Sequence, residues 1–395
     1  MTAGVDNALV QRVRQRLSDR DERPTHRAVI EAVRAEPGQA ALGGTSLLRV
    51  GDRIFDEIAG LGPLATLLAD PSVTDVLVNG PDEVWVDLGA GLLPAPHVRF
   101  NDQADLRGFA QRLAAAVGRR LDDASPCVDV RLPDGSRMHA VLPPLAVRGP
   151  YISLRTLRRQ SYGLEDLVRV GTLTPGSAEL VDAIVRARLA YVVTGGTGSG
   201  KTTVLAALLS RVPVTERIVI VEDATELAPN HPHVVGLQSR PSNVEGTGAV
   251  GLRELVRQAL RMRPDRLVIG ECRGAEVVDW LGALNTGHEG GAGTVHANAP
   301  ADVPARFEAL GLLAGVSREG LHAQLAAGLR VVLHLRRSGT IRSLDEVCVL
   351  DGPGPTVRAV PAWRRDSGPA AAAGVLARLL ADRGVAIPSV VSGQL

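Results

Sequence analysis

The sequence contains almost no lysine. Of its 44 basic residues only Lys201 is a lysine, so every other positive side chain belongs to an arginine. A composition that uses arginine in place of lysine nearly everywhere has kept a lysine at one position. That position therefore requires something that a guanidinium group does not supply.

Aromatic residues and net charge are also scarce. Phe, Trp and Tyr make up 3% of the 395 residues, and the formal net charge is +1. Few aromatic rings leave little surface on which the bases of a single-stranded nucleic acid could stack. A nearly neutral chain sets up no global field that would attract nucleic acid. The composition therefore argues against a nucleic-acid partner.

Neither a disulfide framework nor a membrane span is expected. The three cysteines, Cys127, Cys272 and Cys348, lie far apart and form no C-x-x-C pair, which is typical of reduced cytosolic thiols. The first residues, MTAGVDNALVQRVRQRL, carry charges where a signal peptide needs an apolar core. No uncharged apolar run approaches about 18 residues. We therefore expect a soluble protein on the cytoplasmic side of the membrane.

The lone lysine stands in GGTGSGKTT (195–203), which matches the P-loop pattern G-x-x-x-x-G-K-[ST]. Glycines let backbone N–H groups of such a loop point inward around phosphate oxygens. A compact ammonium fits along the loop where a planar guanidinium is too wide. The apolar stretch LAYVVT precedes the loop and the helical stretch TTVLAALLSRV follows it, which aims a helix N-terminus at the phosphates.

We therefore predict that this loop binds ATP and that the hydroxyl of Thr202 binds Mg²⁺. The predicted nucleotide ligands are the residues of the loop: Gly195, Gly196, Thr197, Gly198, Ser199, Gly200, Lys201, Thr202 and Thr203.

Composition and pattern divide the chain into five parts. Residues 1–50 are rich in Arg, Glu and Ala with helical spacing, and residues 51–158 mix helix with two predicted hairpins. Residues 159–175 are a predicted connector. Residues 176–350 alternate strands and helices, which is typical of a parallel α/β sheet. Residues 351–395 form a tail rich in Ala, Gly and Pro with one predicted helix.

Polar residues follow three later strands. RIVIVEDATEL runs directly into Glu222, RPDRLVIGECRG delivers Glu271, and GHEGGAGTVHAN supplies His296, with His288 upstream. Ligands of open α/β sheets bind at the carboxyl ends of the strands. We therefore expect these side chains beside the P-loop, where ATP hydrolysis needs them.

Two acids compete for the role of water activator. Gly270 precedes Glu271 where a common Walker B motif has aspartate, so we expect Mg²⁺ on Thr202 with Glu271 acting through water. Glu222 and Glu271 are both candidates for the carboxylate that orients the attacking water. We favour Glu222 as the activator and Glu271 as the acid on the metal side.

Ordinary structural roles compete with each of these assignments. Asp223 can cap a helix, Glu271 can be a surface acid and His296 can be a hydrogen-bonded structural histidine. Because three polar strand ends follow one P-loop in order along the chain, we favour a shared nucleotide site over these separate structural roles. The pair His231 and His233 is of metal-binding type, but no third ligand follows at a useful spacing, so we predict a loop role for it.

The motifs carry a family resemblance. The run from TGGTGSGKTT through IVEDATEL, LVRQALRMRPDRLVIGECRG and NTGHEGGAGTVHANAP resembles the secretion ATPases of the type II/type IV superfamily. The most similar branch is that of the ATPases of tight-adherence (Flp) pilus assembly. The likeness also includes DPSVTDVLVNGPDEVWVD, LPDGSRMHAVLPPLA, LEDLVRVGTLTP, ARFEAL and LRVVLHLRR, so it covers about residues 50–350.

The resemblance implies an α/β fold in which a linker joins a smaller α+β N-terminal domain to a RecA-like P-loop ATPase domain. It implies homo-hexamers that hydrolyse ATP to power pilus assembly or secretion at the cytoplasmic face of the inner membrane. The implied partner is a polytopic inner-membrane platform protein. The expected cofactors are ATP and Mg²⁺, and no nucleic-acid partner and no membrane span are expected.

The resemblance also implies roles for the charged residues. It places Glu271 in the atypical Walker B motif and His296 in the His box. It places Glu222, Asp223 and Glu226 in the Asp box. Lys201 and the loop around it are the Walker A motif.

Three arginines match arginines that the family brings to the phosphates: Arg261 and Arg263 in LRMRPD and Arg155 in YISLRTL. One departure from the family pattern stands just before the His box. Ala292 and Gly293 replace more polar residues there, which we expect to loosen the loop that presents His296.

Two other functional classes fit a P-loop. A nucleic-acid motor, such as a helicase or a plasmid-partition ATPase, predicts a basic or aromatic groove, which neither the charge nor the aromatic content supports. A small-molecule kinase predicts a lid and an acceptor pocket, and has no use for the large N-terminal module. A secretion or pilus motor therefore explains the sequence best, with the nucleic-acid motor as the alternative.

Overall fold

The computed structural model describes residues 9, 12–13, 16–17, 26–37, 46–48, 50–51, 54, 60–70, 72–89, 91–156, 162–240, 247–352 and 356–392. The chain divides into two compact units, Met1–Arg158 and Arg159–Leu395. The described residues before residue 55 are mostly helical. Their buried apolar side chains, which include Val13, Val29 and Ile54, form a small core of their own.

The first unit contains an antiparallel sheet of six strands. Its strands are β1 Asp75–Gly80, β2 Glu83–Asp87, β3 Leu92–Pro94, β4 Cys127–Arg131, β5 Arg137–Val141 and β6 Tyr151–Arg155. They lie in the order β3-β2-β1-β6-β5-β4. Helices of this unit whose bounds the described residues give are α1 His26–Arg34, α2 Ala65–Leu68 and α3 Gln103–Ala116.

Both predicted hairpins are confirmed in this sheet. β1 pairs with β2 and β4 pairs with β5, each antiparallel. Inward side chains alternate along the strands, since Val76 and Val78 are buried while Asn79, the next residue along, is exposed. The buried faces pack on α3 through Phe109 and Leu113. Alternation of this kind is expected of a sheet with one face on the core.

The second unit is built on a sheet of nine strands. They are β7 Tyr191–Gly195, β8 Ile218–Glu222, β9 Val234–Gln238, β10 Arg266–Ile269, β11 Ala292–Val295, β12 Val331–Ser338, β13 Ile341–Asp351, β14 Arg358–Arg364 and β15 Gly368–Pro369. The helices are α4 Leu164–Arg169, α5 Pro175–Arg186, α6 Lys201–Leu209, α7 Leu252–Ala259, α8 Glu276–Leu284, α9 Val303–Leu313, α10 Arg318–Gly328, α11 Ala373–Ala381 and α12 Ser389–Ser392.

The parallel part of this sheet brings strand ends together. The strand order is β15-β14-β13-β12-β7-β11-β10-β8-β9, and the neighbours from β12 through β7, β11, β10 and β8 to β9 pair in parallel. β7, β8, β10 and β11 are buried along their whole length, as strands covered on both faces must be. The carboxyl ends of β7, β8, β10, β11 and β12 therefore share one edge.

The last segment of the chain packs as part of this unit. β13 spans 341–351 and pairs with β14, and the helix predicted in the tail is α11. Leu376 and Leu380 of that helix are buried in the main core. Similarly, the predicted connector contains α4, whose Leu164 and Leu167 are buried in the same core. Composition sets these segments apart, whereas their apolar side chains place them in the second unit.

Candidate functional site

The P-loop lies between the end of β7 and the start of α6, as the strand–loop–helix pattern predicts. Gly200 has φ +91°, a left-handed conformation that glycine adopts at no steric cost. A Cβ on Gly195 would lie 2.4 Å from the carbonyl oxygen of Leu335 on β12. The loop is therefore held closely against β12, and larger residues would not fit.

Lys201 is the first residue of α6, and its side chain folds back over the loop. Its Nζ donates hydrogen bonds to the carbonyl oxygens of Gly195 and Gly196, both at 3.0 Å. Burial lowers the pKa of the ammonium, and the negative charge of Glu271 works against that shift. Lys201 and Glu271 therefore share one electrostatic environment.

Glu222 ends β8 and is almost completely buried, with 5% of its surface exposed. Its Oε1 accepts hydrogen bonds from the backbone N–H groups of Glu226 and Leu227, at 3.0 and 3.1 Å. The carboxylate therefore fixes the turn that follows the strand. Asp223 also belongs to this turn, and its Oδ1 accepts from the hydroxyl of Ser239 at 3.0 Å.

Glu271 follows the end of β10, the strand that lies beside β8. Its Oε2 accepts a hydrogen bond from Nε of Arg273 at 2.6 Å, and its side chain is 27% exposed. Gly270 lies against Glu222: a Cβ there would be 2.6 Å from Cγ of Glu222. The side chain of Glu222 therefore fills the space that a Walker B aspartate at 270 would need.

His296 follows β11 and is half-buried at the same edge of the sheet. Close packing explains why Gly293, one of the small residues before His296, has no side chain. A Cβ on Gly293 would lie 3.1 Å from the carbonyl oxygen of Ile269 and 3.4 Å from the ring of Trp280. β11 pairs with β7 through Ala292–Val295 and with β10 through Ala292 and Gly293. The strand that precedes His296 is therefore regular.

Two of the three predicted arginines, Arg261 and Arg263, lie away from these groups in their own chain. Arg261 and Arg263 precede β10, at the amino end of a strand whose carboxyl end carries the site. A strand of four residues is about 13 Å long. Arg155 lies on β6 in the first unit, where its Nε donates to Oδ1 of Asp75 at 3.1 Å. The P-loop of the same chain thus receives neither Arg261 nor Arg263.

Sequence reasoning missed the contribution of β12. This strand pairs with β7, and Nδ1 of buried His334 lies 2.9 Å from Oγ1 of Thr194, immediately before the P-loop. In the following hairpin, Nε of Arg342 donates to the carbonyl oxygen of Gly198 at 2.8 Å. His334 is the fourth residue of β12 rather than a residue at its end, so the rule that links polar residues at strand ends to ligand sites does not identify it.

The site fits a nucleotide-bound magnesium ion better than a metal held by protein alone. Among the described residues, no three His, Cys, Asp or Glu side chains cluster as metal ligands. Mg²⁺ typically takes one or two protein ligands together with substrate phosphates and water. Ser199 Oγ is buried without a hydrogen-bond partner inside the loop, which fits a loop shaped for a bound ligand. His231 and His233 lie between β8 and β9, where they contact Pro213, Arg217 and each other.

Comparisons with known proteins agree with this arrangement. A family model described as type II/IV secretion system protein matches residues 57–366. A putative conjugal transfer protein of Mycobacterium tuberculosis is 54% identical over 349 residues, covering 87% of this chain and 99% of the relative. The type IV secretion system protein VirB11 of Brucella suis is 31% identical over 326 residues, covering 73% of this chain and 88% of the relative.

Solved structures support the fold. The pilus retraction motor PilT with bound ADP has a TM-score of 0.52 and 19% identity, covering 74% of this chain and 83% of PilT. The ATPase DotB of Legionella pneumophila has a TM-score of 0.51 and 19% identity, covering 73% of this chain and 80% of DotB. The predicted fold, a RecA-like α/β domain with a smaller α+β N-terminal domain, is confirmed. Within the described residues, no helix combines the length and apolarity needed to cross a bilayer.

Proposed function

The chain belongs to the type II/IV secretion system protein family, and we propose that it is an ATP-hydrolysing motor of a secretion or pilus machine. The observation that carries the proposal is the P-loop with its single lysine, placed at one sheet edge with Glu222, Glu271 and His296. Phosphoryl transfer to water needs positioning and charge stabilisation rather than covalent chemistry. The groups at this edge can provide both.

Each part of the site has a proposed task. The loop N–H groups and the ammonium of Lys201 bind the β- and γ-phosphates of ATP. Thr202 offers its hydroxyl to Mg²⁺, and Glu271 binds the ion through water. The ion neutralises charge on the phosphates when it is bound. Glu271 fits this task because it is partly exposed and is electrostatically coupled to Lys201.

Glu222 remains our proposed activator of the attacking water, with Glu271 as the alternative. Two backbone N–H groups hold one of its carboxylate oxygens in a fixed position. A fixed, buried carboxylate at the strand edge can orient water. The same bonds also support a purely positioning role, in which Glu222 shapes the turn that carries Glu226. The two roles differ in their response to the neutral isostere glutamine.

We further propose that the working form is a homo-hexamer. Arg261 and Arg263 are exposed and lie away from the P-loop of their own chain, so they suit the site of a neighbouring copy. Arg155 is a further candidate for this contribution. An arginine supplied by another subunit is worth roughly 10³–10⁵ in the rate of phosphoryl transfer. Hydrolysis would then depend on the assembly of the ring.

We place the motor at the cytoplasmic face of the inner membrane, working on a polytopic platform protein. The tight-adherence pilus ATPases remain our proposed nearest branch. The alternative, a motor for nucleic-acid transfer, gains support from the relative that is named a putative conjugal transfer protein and shares 54% identity. The small aromatic content still argues against direct binding of single-stranded DNA by this chain.

The test is ATP hydrolysis by the purified full chain with Mg²⁺, measured alone, with single-stranded DNA, and with the platform protein in lipid vesicles. We expect Mg²⁺-dependent phosphate release that the platform protein stimulates and DNA does not. Stimulation by DNA alone would favour the transfer motor. A chain that neither binds nor hydrolyses ATP under any of these conditions would refute the proposed activity.

A further inference from the structure

A solvent-open cleft of about 470 Å³ lies beside the first half of the P-loop. At about 30 Å³ per water molecule, it has room for roughly fifteen waters or for a small hydrated anion. Its lining includes Gly196 and Thr197 of the loop, Asn298 after the His box, and His334 and Arg337 from the β12–β13 hairpin. It is thus formed by three separate segments that meet at the sheet edge.

The lining of the cleft is rich in hydrogen-bond donors and positive charge. Nη1 of Arg337 lies 2.7 Å from the position that a Cβ on Gly198 would occupy, so the guanidinium rests directly on the loop. Its Nε donates to the uncharged carbonyl of Gly339 at 3.0 Å. The neighbouring Arg336, by contrast, forms an ion pair with Asp345 at 3.0 Å. The positive charge of Arg337 is therefore less neutralised than that of Arg336.

His334 contributes a neutral imidazole. Burial lowers its pKa, and its Nδ1 is engaged with Oγ1 of Thr194 at 2.9 Å. In the tautomer whose Nδ1 accepts the hydroxyl proton of Thr194, Nε2 carries the ring proton and is a donor. Anionic oxygen is the acceptor that an imidazole N–H, a guanidinium and loop amides together recognise.

The cleft adjoins the end of the loop where the terminal phosphate is expected. A P-loop lysine reaches the β- and γ-phosphates. The ammonium of Lys201 lies at the carbonyl oxygens of Gly195 and Gly196, and Gly196 lines the cleft. A phosphate cleaved from ATP at Lys201 therefore has an open, donor-lined space next to it.

We infer that this cleft is a binding site for the inorganic phosphate that hydrolysis releases, with Arg337 and His334 as its ligands. The inference rests on the proposed ATPase function. ADP remains on the amides and Lys201, while phosphate moves into the cleft before it leaves. Occupancy of the cleft would connect phosphate release to the β12–β13 hairpin, which holds the loop through Arg342 and Gly198.

The experiment measures inhibition of ATP hydrolysis by added inorganic phosphate, with sulfate and ADP in parallel at constant ionic strength. Arg337→Gln removes the charge. His334→Asn keeps a polar atom near the position of Nδ1 and removes Nε2. Each variant should weaken phosphate inhibition by about tenfold, the lower range for a lost charge-assisted hydrogen bond. Inhibition by ADP should change less than twofold.

Two control variants follow: Arg336 also lines the cleft and tests whether an already neutralised charge matters, whereas Arg364 lies outside the lining and tests the location of the effect. Arg336→Gln loses a charge that Asp345 already neutralises, and Arg364→Gln loses one on β14 that pairs with Glu346 at 3.4 Å. Neither should alter phosphate inhibition more than twofold. Equal effects of Arg364→Gln and Arg337→Gln would mean that overall charge is responsible, and would overturn the inference.

A binding measurement separates this inference from the proposed function. With saturating ADP, added phosphate should raise the melting temperature of the wild-type protein further, and should not do so in Arg337→Gln. This result needs no hydrolysis, so it would support the cleft even if the chain hydrolysed no ATP. An active wild-type enzyme whose phosphate inhibition is unchanged in both variants would overturn the inference and leave the ATPase function standing.

Discussion

Replacement of Lys201 by arginine tests why one lysine survives in a chain of arginines. In the structure, the ammonium fits between the carbonyl oxygens of Gly195 and Gly196, 3.0 Å from each. The loop that surrounds it lies against β12 at Gly195, where not even a Cβ fits. A guanidinium is wider and planar, so it must displace either the loop or the phosphates. Displacement of reacting groups by about 1 Å can cost on the order of 10²-fold in rate.

A displaced loop also loses contacts to bound ATP, and the magnitudes below are worked for a hundredfold loss of affinity. At an ATP concentration of 100 Kd, binding stabilises the folded protein by about 2.7 kcal/mol, and hundredfold weaker binding reduces this to about 0.4 kcal/mol. For a unit of this size, the ATP-induced rise in melting temperature should fall from roughly 5–10 °C to about 1 °C. Without nucleotide, Lys201→Arg should melt as the wild type does, because the charge is retained.

The assay is a pair of melting curves with and without Mg²⁺-ATP, together with steady-state phosphate release. Lys201→Ala should be no more than modestly worse than Lys201→Arg. The control is Arg364→Lys, which replaces arginine by lysine at an exposed position of β14. It should change neither the ATP-induced rise in melting temperature nor the rate of phosphate release. An arginine variant that hydrolyses ATP at the normal rate would show that the size and shape of the cation do not matter.

Glu222→Gln should retain ATP binding and slow hydrolysis strongly, since glutamine cannot take up the proton of water, whereas Glu271→Gln should also shift the Mg²⁺ requirement. Normal hydrolysis by Glu222→Gln would leave Glu271 as the activator. Burial holds the pKa of His334 below its ordinary 6.5. As the pH falls, the unfolded chain therefore takes up a proton on this residue at a higher pH than the folded chain does. The free energy of unfolding should therefore decrease as the pH falls below about 6.5, and less so in His334→Asn. Specific ATPase activity should rise with protein concentration as light scattering reports rings; a fully active monomer would contradict the hexamer.

Local sequence patterns predicted the helices, strands and turns that depend mainly on residues close together in the sequence. The hairpins of the first unit, the strand before Gly195 and the helix after it all follow from alternation, turn residues and helical spacing. Glu222, Glu271 and His296 were found because a general rule links strand ends to ligand sites. These predictions needed no knowledge of which strands pair.

The features that sequence reasoning missed depend on long-range pairing. His334 matters because β12 lies beside β7, 140 residues away along the chain, and no local signal encodes that neighbour. Arg342 contacts the loop through the same pairing. The structural role of α4 was likewise hidden, because a short helix in a segment containing Gly and Pro is a weak pattern until its leucines meet the core.

The glycine at position 270, where a common Walker B motif has aspartate, has a packing explanation that can be tested. Gly270 has no side chain because Cγ of Glu222 would lie 2.6 Å from a Cβ and Oε1 would lie 3.0 Å away. Its φ is not in the left-handed region, so alanine is excluded by this neighbour rather than by the backbone. Gly270→Ala should therefore destabilise the wild-type protein by about 1–3 kcal/mol, the usual range for overpacking.

A double-mutant cycle separates the two explanations for this glycine. Glu222→Ala removes Cγ and leaves the N–H groups of Glu226 and Leu227 without their acceptor, so it destabilises the protein by itself. In that background the methyl group of Gly270→Ala has room, and its added cost should be close to zero. The measured coupling energy in urea denaturation should then be about 1–3 kcal/mol. If Gly270→Ala costs the same in both backgrounds, something other than Glu222 requires the glycine, and packing against Glu222 does not explain the missing aspartate.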